Sequence, residues 1–274
     1  MDGANEISFE RRRVKTADIE HDVHFGPVRG PGVLLMHELA GLTDNTKTLA
    51  AEIAASGFTV ALPHLFGRAG PSGPRAMLTG AAGLIGRCIA REMSLLVADH
   101  PERGTTWLKA AVSELAAYAP SPRGVGVIGM CATGAFAMAT VLDPAVGAVV
   151  GSQPALPAWR RRSWGIPGGD EQLAKRKTPL LVLRFRKDRR SAKDRVERLP
   201  QLLEDPVSKS RVGPEDPGLP HCDRGIEVWT GARSQVVWAD GSGHSVLNFD
   251  RVDLAVAEAM RFLHANLDPA DSRT

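Results

Sequence analysis

The chain has 274 residues, of which 43% are hydrophobic and 24% charged, and it carries a net charge of +3 at pH 7. This composition is typical of a compact globular protein with a sizeable core, and the small net charge gives no indication of a nucleic-acid partner. No apolar stretch approaches the roughly 20 residues that a membrane-spanning helix needs, so we expect no membrane partner.

The cysteines and the first residues of the chain indicate a compartment. Cys88, Cys131 and Cys222 are too few and too widely spaced for a disulfide framework or a structural zinc site. Charged residues precede any apolar run at the amino terminus, which is unlike a secretory signal. We therefore expect a cytoplasmic protein, because a reducing compartment preserves free thiols.

Six short runs of aliphatic and β-branched residues predict strands. Polar residues rarely interrupt these runs, as expected for strands that are covered on both faces. The predicted strands are Val33–Met36, Phe58–Leu62, Val125–Met130, Ala145–Val150, Leu180–Phe185 and Val236–Ala239.

Amphipathic stretches lie between and after these runs and predict six helices. They are Thr43–Ala55, Ala76–Asp99, Gly104–Tyr118, Thr133–Leu142, Ser191–Leu203 and Asp250–Leu267. Thr43 is the expected N-cap of the first helix and Asp250 that of the last, because a short polar side chain can accept a hydrogen bond from the first turn. The alternation of strands and helices predicts an α/β fold with a mainly parallel central sheet and helices on both faces.

The length of the chain suits a single α/β domain. We expect residues 25–267 to form this domain, because α/β folds of this size commonly form one unit. Residues 1–24 are expected to lead into it, and residues 268–274 to form a mobile tail. Two stretches rich in proline, glycine and charge, 156–170 and 205–224, are predicted to be irregular surface excursions.

A cysteine follows the third predicted strand directly and precedes a predicted helix. Gly129 and Cys131 fit the Gly-x-nucleophile-x-Gly pattern of a nucleophile elbow, whereas Thr133 stands where the pattern has its last glycine. A side chain at such a turn projects from the carboxyl edge of the sheet. The alternative is a buried structural cysteine, because free cysteines are among the most buried residues.

An acid and a histidine follow the last two predicted strands. Asp188 comes after the fifth strand and His244 after the sixth, and the order nucleophile, acid, histidine is that of α/β hydrolases. A thiol needs a base that takes its proton, and an imidazole needs a carboxylate that fixes its tautomer, so the three residues predict a catalytic triad. Asp194 and Asp240 compete for the role of the acid, although the position of Asp240 is more typical of an Asx turn in the histidine loop.

The glycines before the cysteine do not predict a nucleotide site. Gly124, Gly126 and Gly129 have the spacing of a dinucleotide-binding turn, but the apolar residues between them make them part of a strand. None of the eight histidines forms an H-E-x-x-H or comparable motif. We therefore expect no cofactor and no metal.

Five segments together resemble the dienelactone hydrolase family. They are 33–41, 58–67, 128–131, 183–188 and 243–245. The most specific feature is Glu38 combined with a cysteine, rather than a serine, at the elbow. In that family a glutamate after the first buried strand contacts the nucleophilic thiol and keeps it neutral until substrate displaces it. The resemblance therefore implies an α/β-hydrolase fold in which Glu38 is the partner of the thiol.

The resemblance also implies the roles of the other site residues. Cys131 is then the nucleophile, His244 the base and Asp188 the acid that orients the base. The backbone amides of Leu39 and Ala132 would form the oxyanion hole.

The residues that bind substrate are where the chain departs from the family. Dienelactone hydrolases carry an arginine four residues after the histidine, which binds the substrate carboxylate, and this chain has Asn248 there. Arg87 and Arg91 lie on one face of a predicted helix and are further candidates for binding a carboxylate. His37 and His64 follow predicted strands, where a histidine either lines the pocket or makes a structural hydrogen bond. We place His37 with the substrate-binding residues.

Together the residues and the resemblance predict a carboxylic ester hydrolase of the carboxymethylenebutenolidase type. Its cysteine would cleave an ester or lactone through an acyl-thioester. A thioesterase or general carboxylesterase on the same scaffold is the alternative enzyme, and a small-molecule-binding protein without turnover is the alternative outside enzymes. We expect a monomer or homodimer whose partner is a small-molecule ester or lactone, with no nucleic acid.

Overall fold

The computed structural model describes residues 8–17, 19–65, 101–156, 164, 166, 169–213 and 224–268. Several predicted features lie outside these residues. They are the helix Ala76–Asp99 with Arg87 and Arg91, the cysteines Cys88 and Cys222, most of the excursion 156–170, residues 214–223 of the second excursion, and residues 269–274 of the expected tail.

Ten strands of the described chain form one sheet. They are β1 (Glu10–Lys15), β2 (Glu20–Phe25), β3 (Gly32–Met36), β4 (Thr59–Pro63), β5 (Val125–Met130), β6 (Val146–Ser152), β7 (Leu180–Phe185), β8 (Ser208–Val212), β9 (Ile226–Thr230) and β10 (Ser234–Ala239). Their order is β1-β2-β4-β3-β5-β6-β7-β10-β9-β8. The six central strands, from β4 to β10, are parallel, and two antiparallel strands lie at each edge. The central six are the strands that the sequence predicts, so the mainly parallel sheet is confirmed.

Helices cover both faces of this sheet. They are α1 (Asp44–Ala55), α2 (Pro101–Tyr118), α3 (Ala132–Ala139), α4 (Gly169–Lys175), α5 (Lys193–Glu197), α6 (Leu199–Leu202) and α7 (Asp253–Leu267), with a 3-10 turn at Thr140–Leu142. On one face α2 and α3 bury Leu115 and Phe136, and on the other α1 and α7 bury Ile53 and Leu263. Each such buried side chain contributes about 1.5–3 kcal/mol. The two cores confirm the predicted α/β class.

The antiparallel edge strands are not predicted by the sequence. β1 reads Glu-Arg-Arg-Arg-Val-Lys and β8 reads Ser-Lys-Ser-Arg-Val, so exposed charges replace the apolar run that would mark a strand. Charged residues suit an edge because they discourage pairing with another chain. β1 and β2 thus belong to the sheet, whereas residues 1–24 are expected only to lead into the domain. β8 lies within 205–224, so the prediction of an irregular excursion there is wrong for these five residues.

Helix boundaries agree at α1 and at the carboxyl ends of α2 and α7, whereas two other predictions differ from the structure. Thr43 caps α1 as predicted, because its hydroxyl accepts a hydrogen bond from the first turn. The predicted helix 191–203 is divided into α5 and α6, since Pro200 has no N–H with which to continue α5. The prediction that Asp250 caps the last helix is wrong, because Val252 holds that position and the Asp250 carboxylate bonds to the histidine loop instead.

The parallel strands end at one edge, which gathers the segments that come after them. Gly129 of β5 lies opposite Met36 of β3 and Gly151 of β6. Phe185 of β7 lies opposite Ala239 of β10. The segments after β3, β5, β6, β7 and β10 therefore meet at the carboxyl edge, where open α/β sheets bind their ligands.

Candidate active site

A sharp turn joins β5 to α3 at Cys131. Its φ of 61° and ψ of −121° form a sparsely populated conformation, which costs a non-glycine residue about 1–3 kcal/mol. The Cys131 amide donates to the Ser152 carbonyl at 3.0 Å and so fixes the turn. Glycine is required at position 129, because a Cβ atom there would lie 2.0 Å from the Thr133 carbonyl oxygen. The Cys131 side chain is only partly buried, unlike a structural core cysteine.

The structure brings the predicted cysteine, histidine and acid into one hydrogen-bonded chain. His244 Nε2 lies 3.1 Å from Cys131 Sγ, and His244 Nδ1 lies 2.9 Å from Asp188 Oδ2. Contacts at both ring nitrogens hold the imidazole in one orientation. The arrangement is suited to removing a proton from the thiol and holding it on the imidazole.

The acid is itself held in place by its loop. Asp188 Oδ1 accepts from the amides of Arg190 and Ser191, at 2.7 and 3.3 Å. Arg184, fully buried on β7, donates through Nη2 to the carbonyls of Asp188 and Ser191 at 2.7 and 2.9 Å. The Arg184 guanidinium also lies over Trp238, 5.2 Å from the ring centroid. In the sequence, the signal for this support is an arginine within an otherwise apolar strand, Leu-Leu-Val-Leu-Arg-Phe.

The two competing acids make other contacts. Asp240 pairs with Arg186, with Nε 3.3 Å from Oδ1, and with Arg211. These ion pairs take the place of the Asx turn that the sequence predicts at Asp240. Asp194 lies in the first turn of α5. Among the hydrogen bonds and ion pairs of the described residues, neither carboxylate reaches His244.

The loop that carries the histidine is closed by Asp250. Its Oδ2 accepts from the amides of His244 and Ser245, at 2.8 and 3.1 Å. The sequence predicts that this carboxylate caps a helix. The signal for its actual role is its position six residues after the histidine, within reach of the same loop. The backbone on which His244 stands is thereby fixed.

The protonation of His244 reflects its two partners. Burial disfavours the charged ring, but hydrogen bonds to Asp188 and Cys131 outweigh burial and raise the pKa of His244 to about 9. An imidazole with this pKa is protonated at neutral pH.

The Glu38 carboxylate bonds to three side chains other than the thiol that the resemblance implies as its partner. Its Oε1 accepts from Gln153 Nε2 and from Ser245 Oγ, each at 2.7 Å, and its Oε2 accepts from Asn248 Nδ2 at 3.4 Å. Within the described part of the chain no hydrogen bond joins Glu38 to Cys131. Burial raises the pKa of Glu38, and the hydrogen bonds from its three partners oppose that shift.

Thr133, the departure from the elbow pattern, links the elbow to the end of β3. Its Oγ1 accepts from the Met130 amide at 2.8 Å. The same oxygen lies 2.9, 3.2 and 3.1 Å from the carbonyl oxygens of Met130, Met36 and His37, and its single proton can be donated to one of them. The hydroxyl therefore connects the ends of the neighbouring strands β3 and β5 close to Cys131.

Two backbone amides at this edge have no acceptor among the described residues. Ala132 is the first residue of α3, so its amide has no acceptor within the helix. The Leu39 amide has no acceptor among the described residues. These are the amides that the resemblance implies as an oxyanion hole.

His37 and Asn248 both bond to protein groups. His37 Nδ1 lies 2.7 Å from the Glu38 carbonyl, and its Nε2 accepts from the Leu65 amide at 3.1 Å. Because backbone groups engage both ring nitrogens, the assignment of His37 to substrate binding is corrected to a structural role. Burial lowers the pKa of His37 to about 4, so the ring is neutral. Asn248 belongs to the Glu38 cluster, and its Oδ1 is buried without a partner in the described structure.

The described residues form neither a metal site nor a membrane span. They contain no group of three or more His, Cys, Asp or Glu side chains that could hold a metal ion. None of the helices in this part of the chain has the length and apolarity to cross a membrane. Arg87 and Arg91 lie outside it, so their binding of a carboxylate stays a prediction.

A comparison with protein families decides the relationship. The model of the dienelactone hydrolase family matches residues 22–212, well over half of the chain, including Glu38, Cys131 and Asp188. The chain belongs to the dienelactone hydrolase family. This membership makes the protein a hydrolase. No curated protein sequence shows significant similarity to it.

Solved structures of low sequence identity share the fold of this dienelactone hydrolase family member. A dienelactone hydrolase from Anabaena variabilis has 13% identity and a TM-score of 0.59, with 96% of this chain and 100% of that chain covered. An α/β serine hydrolase without lid from Xanthomonas campestris has 11% identity and a TM-score of 0.57, with 98% and 100% covered. A thioesterase domain from the curacin biosynthetic pathway has 12% identity and a TM-score of 0.52, with 93% and 99% covered. The α/β-hydrolase fold is therefore confirmed.

Proposed function

We propose that this family member hydrolyses a carboxylic ester or lactone with Cys131 as its nucleophile. The observation that carries the proposal is the continuous contact from Cys131 through His244 to Asp188, in which sulfur lies 3.1 Å from Nε2. The position of the cysteine, on a strained elbow at the carboxyl edge of the sheet, supports the same role.

In the first half-reaction the Cys131 thiolate forms a bond to the carbonyl carbon, and the carbonyl π electrons move to oxygen. The amides of Ala132 and Leu39 bind the resulting oxyanion, and one such donor contributes about 2.7–4 kcal/mol. As the carbonyl re-forms, the C–O bond of the ester breaks and the His244 imidazolium gives its Nε2 proton to the leaving alkoxide. The products are an acyl-thioester and an alcohol, which remain one molecule when the substrate is a lactone.

In the second half-reaction neutral His244 takes a proton from a water molecule as the water oxygen attacks the thioester carbonyl. The C–S bond breaks, the sulfur leaves as a thiolate, and the carboxylic acid departs. The proton taken from water restores the His244 imidazolium. Asp188 keeps Nδ1–H oriented in both half-reactions. No cofactor is required.

The test is hydrolysis of an ester, a lactone and a thioester by the wild type and Cys131→Ala. A short-chain p-nitrophenyl ester, dihydrocoumarin and an acetyl thioester represent the three classes. We expect kcat/KM to fall by at least on the order of a thousandfold in Cys131→Ala, because the variant has no nucleophile. Cys88→Ala and Cys222→Ala are matched controls that should retain turnover.

The outcomes separate the alternatives. Equal turnover by Cys131→Ala and the wild type would contradict the proposal. A large preference for the thioester over both oxygen esters would favour a thioesterase. If the wild type hydrolyses nothing while iodoacetamide still labels Cys131, a binding protein is favoured.

A further inference from the structure

Glu38 is the centre of a buried cluster with Gln153, Ser245 and Asn248. The exposed fractions of these residues are 6, 0, 5 and 5%. Glu38 follows β3, Gln153 follows β6, and Ser245 and Asn248 belong to the loop that carries His244. Because the Glu38 carboxylate accepts hydrogen bonds from all three partners, one group joins three segments of the carboxyl edge.

Further hydrogen bonds hold together the segments that carry the partners of Glu38. Gln153 Oε1 accepts from the Val246 amide at 3.3 Å and from the hydroxyl of its neighbour Ser152. Ser245 Oγ accepts from the Phe249 amide at 2.8 Å. The cluster therefore closes a ring between the turn after β6 and the histidine loop.

Moving Glu38 to the thiol would break this ring. If the carboxylate moved towards sulfur, its Oε1 would be drawn away from the Gln153 and Ser245 donors, each now at 2.7 Å. A buried donor that is left without an acceptor is costly, so the loss of two such bonds outweighs the gain of one hydrogen bond to sulfur.

From this geometry we propose that Glu38 is a positioning residue that holds the histidine loop against the end of β3. Among the described residues, the hydrogen-bonding partner of the Cys131 sulfur in the resting enzyme is then His244. The inference rests on the proposed function, in which these two residues are nucleophile and base. Ser245 is the next residue after His244. Its hydrogen bond to Glu38 therefore restrains the backbone that carries the imidazole.

The inference differs from what the family resemblance implies. A glutamate that keeps the thiol neutral suppresses its reactivity, and its removal should make the thiol react faster with electrophiles. A glutamate that holds the histidine loop supports the imidazolium beside sulfur, and its removal should loosen that support. The two roles predict opposite changes in the reactivity of Cys131.

The experiment measures two rates in Glu38→Gln, Ser245→Ala and Ser245→Thr. One is alkylation of Cys131 by iodoacetamide at slightly acidic pH, and the other is kcat on the p-nitrophenyl ester, with KM determined alongside. Glu171→Gln is the matched control, because this exposed carboxylate of α4 pairs only with Lys175 in the described structure.

We expect Glu38→Gln to alkylate no faster than the wild type and to lose kcat on the order of ten- to a hundredfold, as a misplaced catalytic group does, with KM little changed. Ser245→Ala should lose kcat in the same way although it keeps the carboxylate. Ser245→Thr should recover much of that loss, since it restores the hydroxyl.

Faster alkylation of Cys131 in Glu38→Gln would overturn the inference. So would wild-type kcat in both Glu38→Gln and Ser245→Ala. If Glu38→Gln does not fold, as judged by circular dichroism, the comparison of Ser245→Ala with Ser245→Thr decides the question. Failure of the proposed function has a separate signature, because Cys131→Ala would then keep its turnover.

Discussion

The contact between Cys131 and His244 determines which protonation state of the site is active. In a serine-type triad the imidazole must be neutral to take the hydroxyl proton, so the rate rises with pH through the pKa of the histidine. In a thiolate–imidazolium pair the imidazole must be protonated to supply the leaving alkoxide. Although burial opposes it, the pKa of His244 is raised to about 9, so the ring is protonated throughout the neutral range.

We therefore predict that kcat/KM falls as pH rises through about 9. The sign comes from the raised pKa, because the imidazolium is present below that pH and loses its proton above it. The measurement is the pH profile of kcat/KM on an uncharged ester, with Cys131→Ala subtracted to remove alkaline hydrolysis. A corrected rate that climbs through the same range would show that neutral His244 is the active form.

A second prediction concerns the acid. Asp188→Asn should lower kcat/KM by roughly a thousandfold to ten-thousandfold, the loss known for a triad whose acid is replaced by its amide. The alkaline limb should also move to lower pH, because the bond to Asp188 helps to raise the pKa of His244. Asp194→Asn and Asp240→Asn are the controls and should remain close to the wild type. A larger loss in either control would mean that the acid has been misassigned.

At the residue scale, the sequence predicts the side chains that come directly after a strand and misses contacts between distant segments. Cys131, Asp188 and His244 each come after a buried run, so their position at the carboxyl edge is readable. The partners of Glu38 are not, because Gln153 and Ser245 lie 115 and 207 residues away in the chain. The role of His37 is missed for the same reason, since the amide that binds its ring belongs to Leu65 after another strand.

At the scale of elements, the junction of β3, β5 and α3 depends on Thr133. Its hydroxyl satisfies the Met130 amide and reaches the carbonyls at the end of β3. Leu39 follows that end of β3, and Ala132 begins α3. The spacing of the two proposed oxyanion amides therefore depends on this buried link.

Thr133→Val should lower both stability and activity. The variant keeps the shape of the side chain but leaves the buried Met130 amide without its acceptor, which costs about 1–3 kcal/mol of the free energy of unfolding. We expect a lower midpoint in urea denaturation and a lower kcat, while Thr133→Ser, which keeps the hydroxyl, retains most of both. Unchanged unfolding and kcat in the valine variant would show that the link is not needed.

The elements themselves are predictable where burial leaves a pattern. The six parallel strands are nearly continuous apolar runs, and Thr43 stands directly before its helix, so both are readable. β1 and β8 are held by backbone pairing to one neighbour and carry mostly exposed charged or polar residues, so no apolar pattern marks them. Asp250 resembles a cap in sequence, yet two loop amides compete successfully for its carboxylate.

At the scale of the whole molecule, the choice of substrate depends on whether a positively charged side chain can bind a substrate carboxylate. The family's arginine is replaced by Asn248, whose amide is bonded to Glu38. A buried carboxylate without a cationic partner is costly. The sequence predicts Arg87 and Arg91 as further candidates for binding it, and both lie outside the described residues.

We therefore predict similar kcat/KM for a neutral ester and a matched ester that carries a carboxylate. Arg91→Ala should weaken only the hydrolysis of the carboxylated ester, and Arg87→Ala gives the comparison on the same predicted helix. A hundredfold preference of the wild type for the carboxylated ester, about 2.7 kcal/mol of transition-state discrimination, would contradict the prediction.

The central claim, that an acyl group passes through the Cys131 sulfur, is tested most directly by capturing the intermediate. The wild type is mixed with the p-nitrophenyl ester, quenched in acid during the first turnovers, and analysed by intact-protein and peptide mass spectrometry. We predict a mass increase of one acyl group on the peptide that contains Cys131, formed at least as fast as kcat and removed by neutral hydroxylamine, as a thioester is. Turnover with no acyl group at Cys131, or with the acyl group on another residue, would contradict this mechanism.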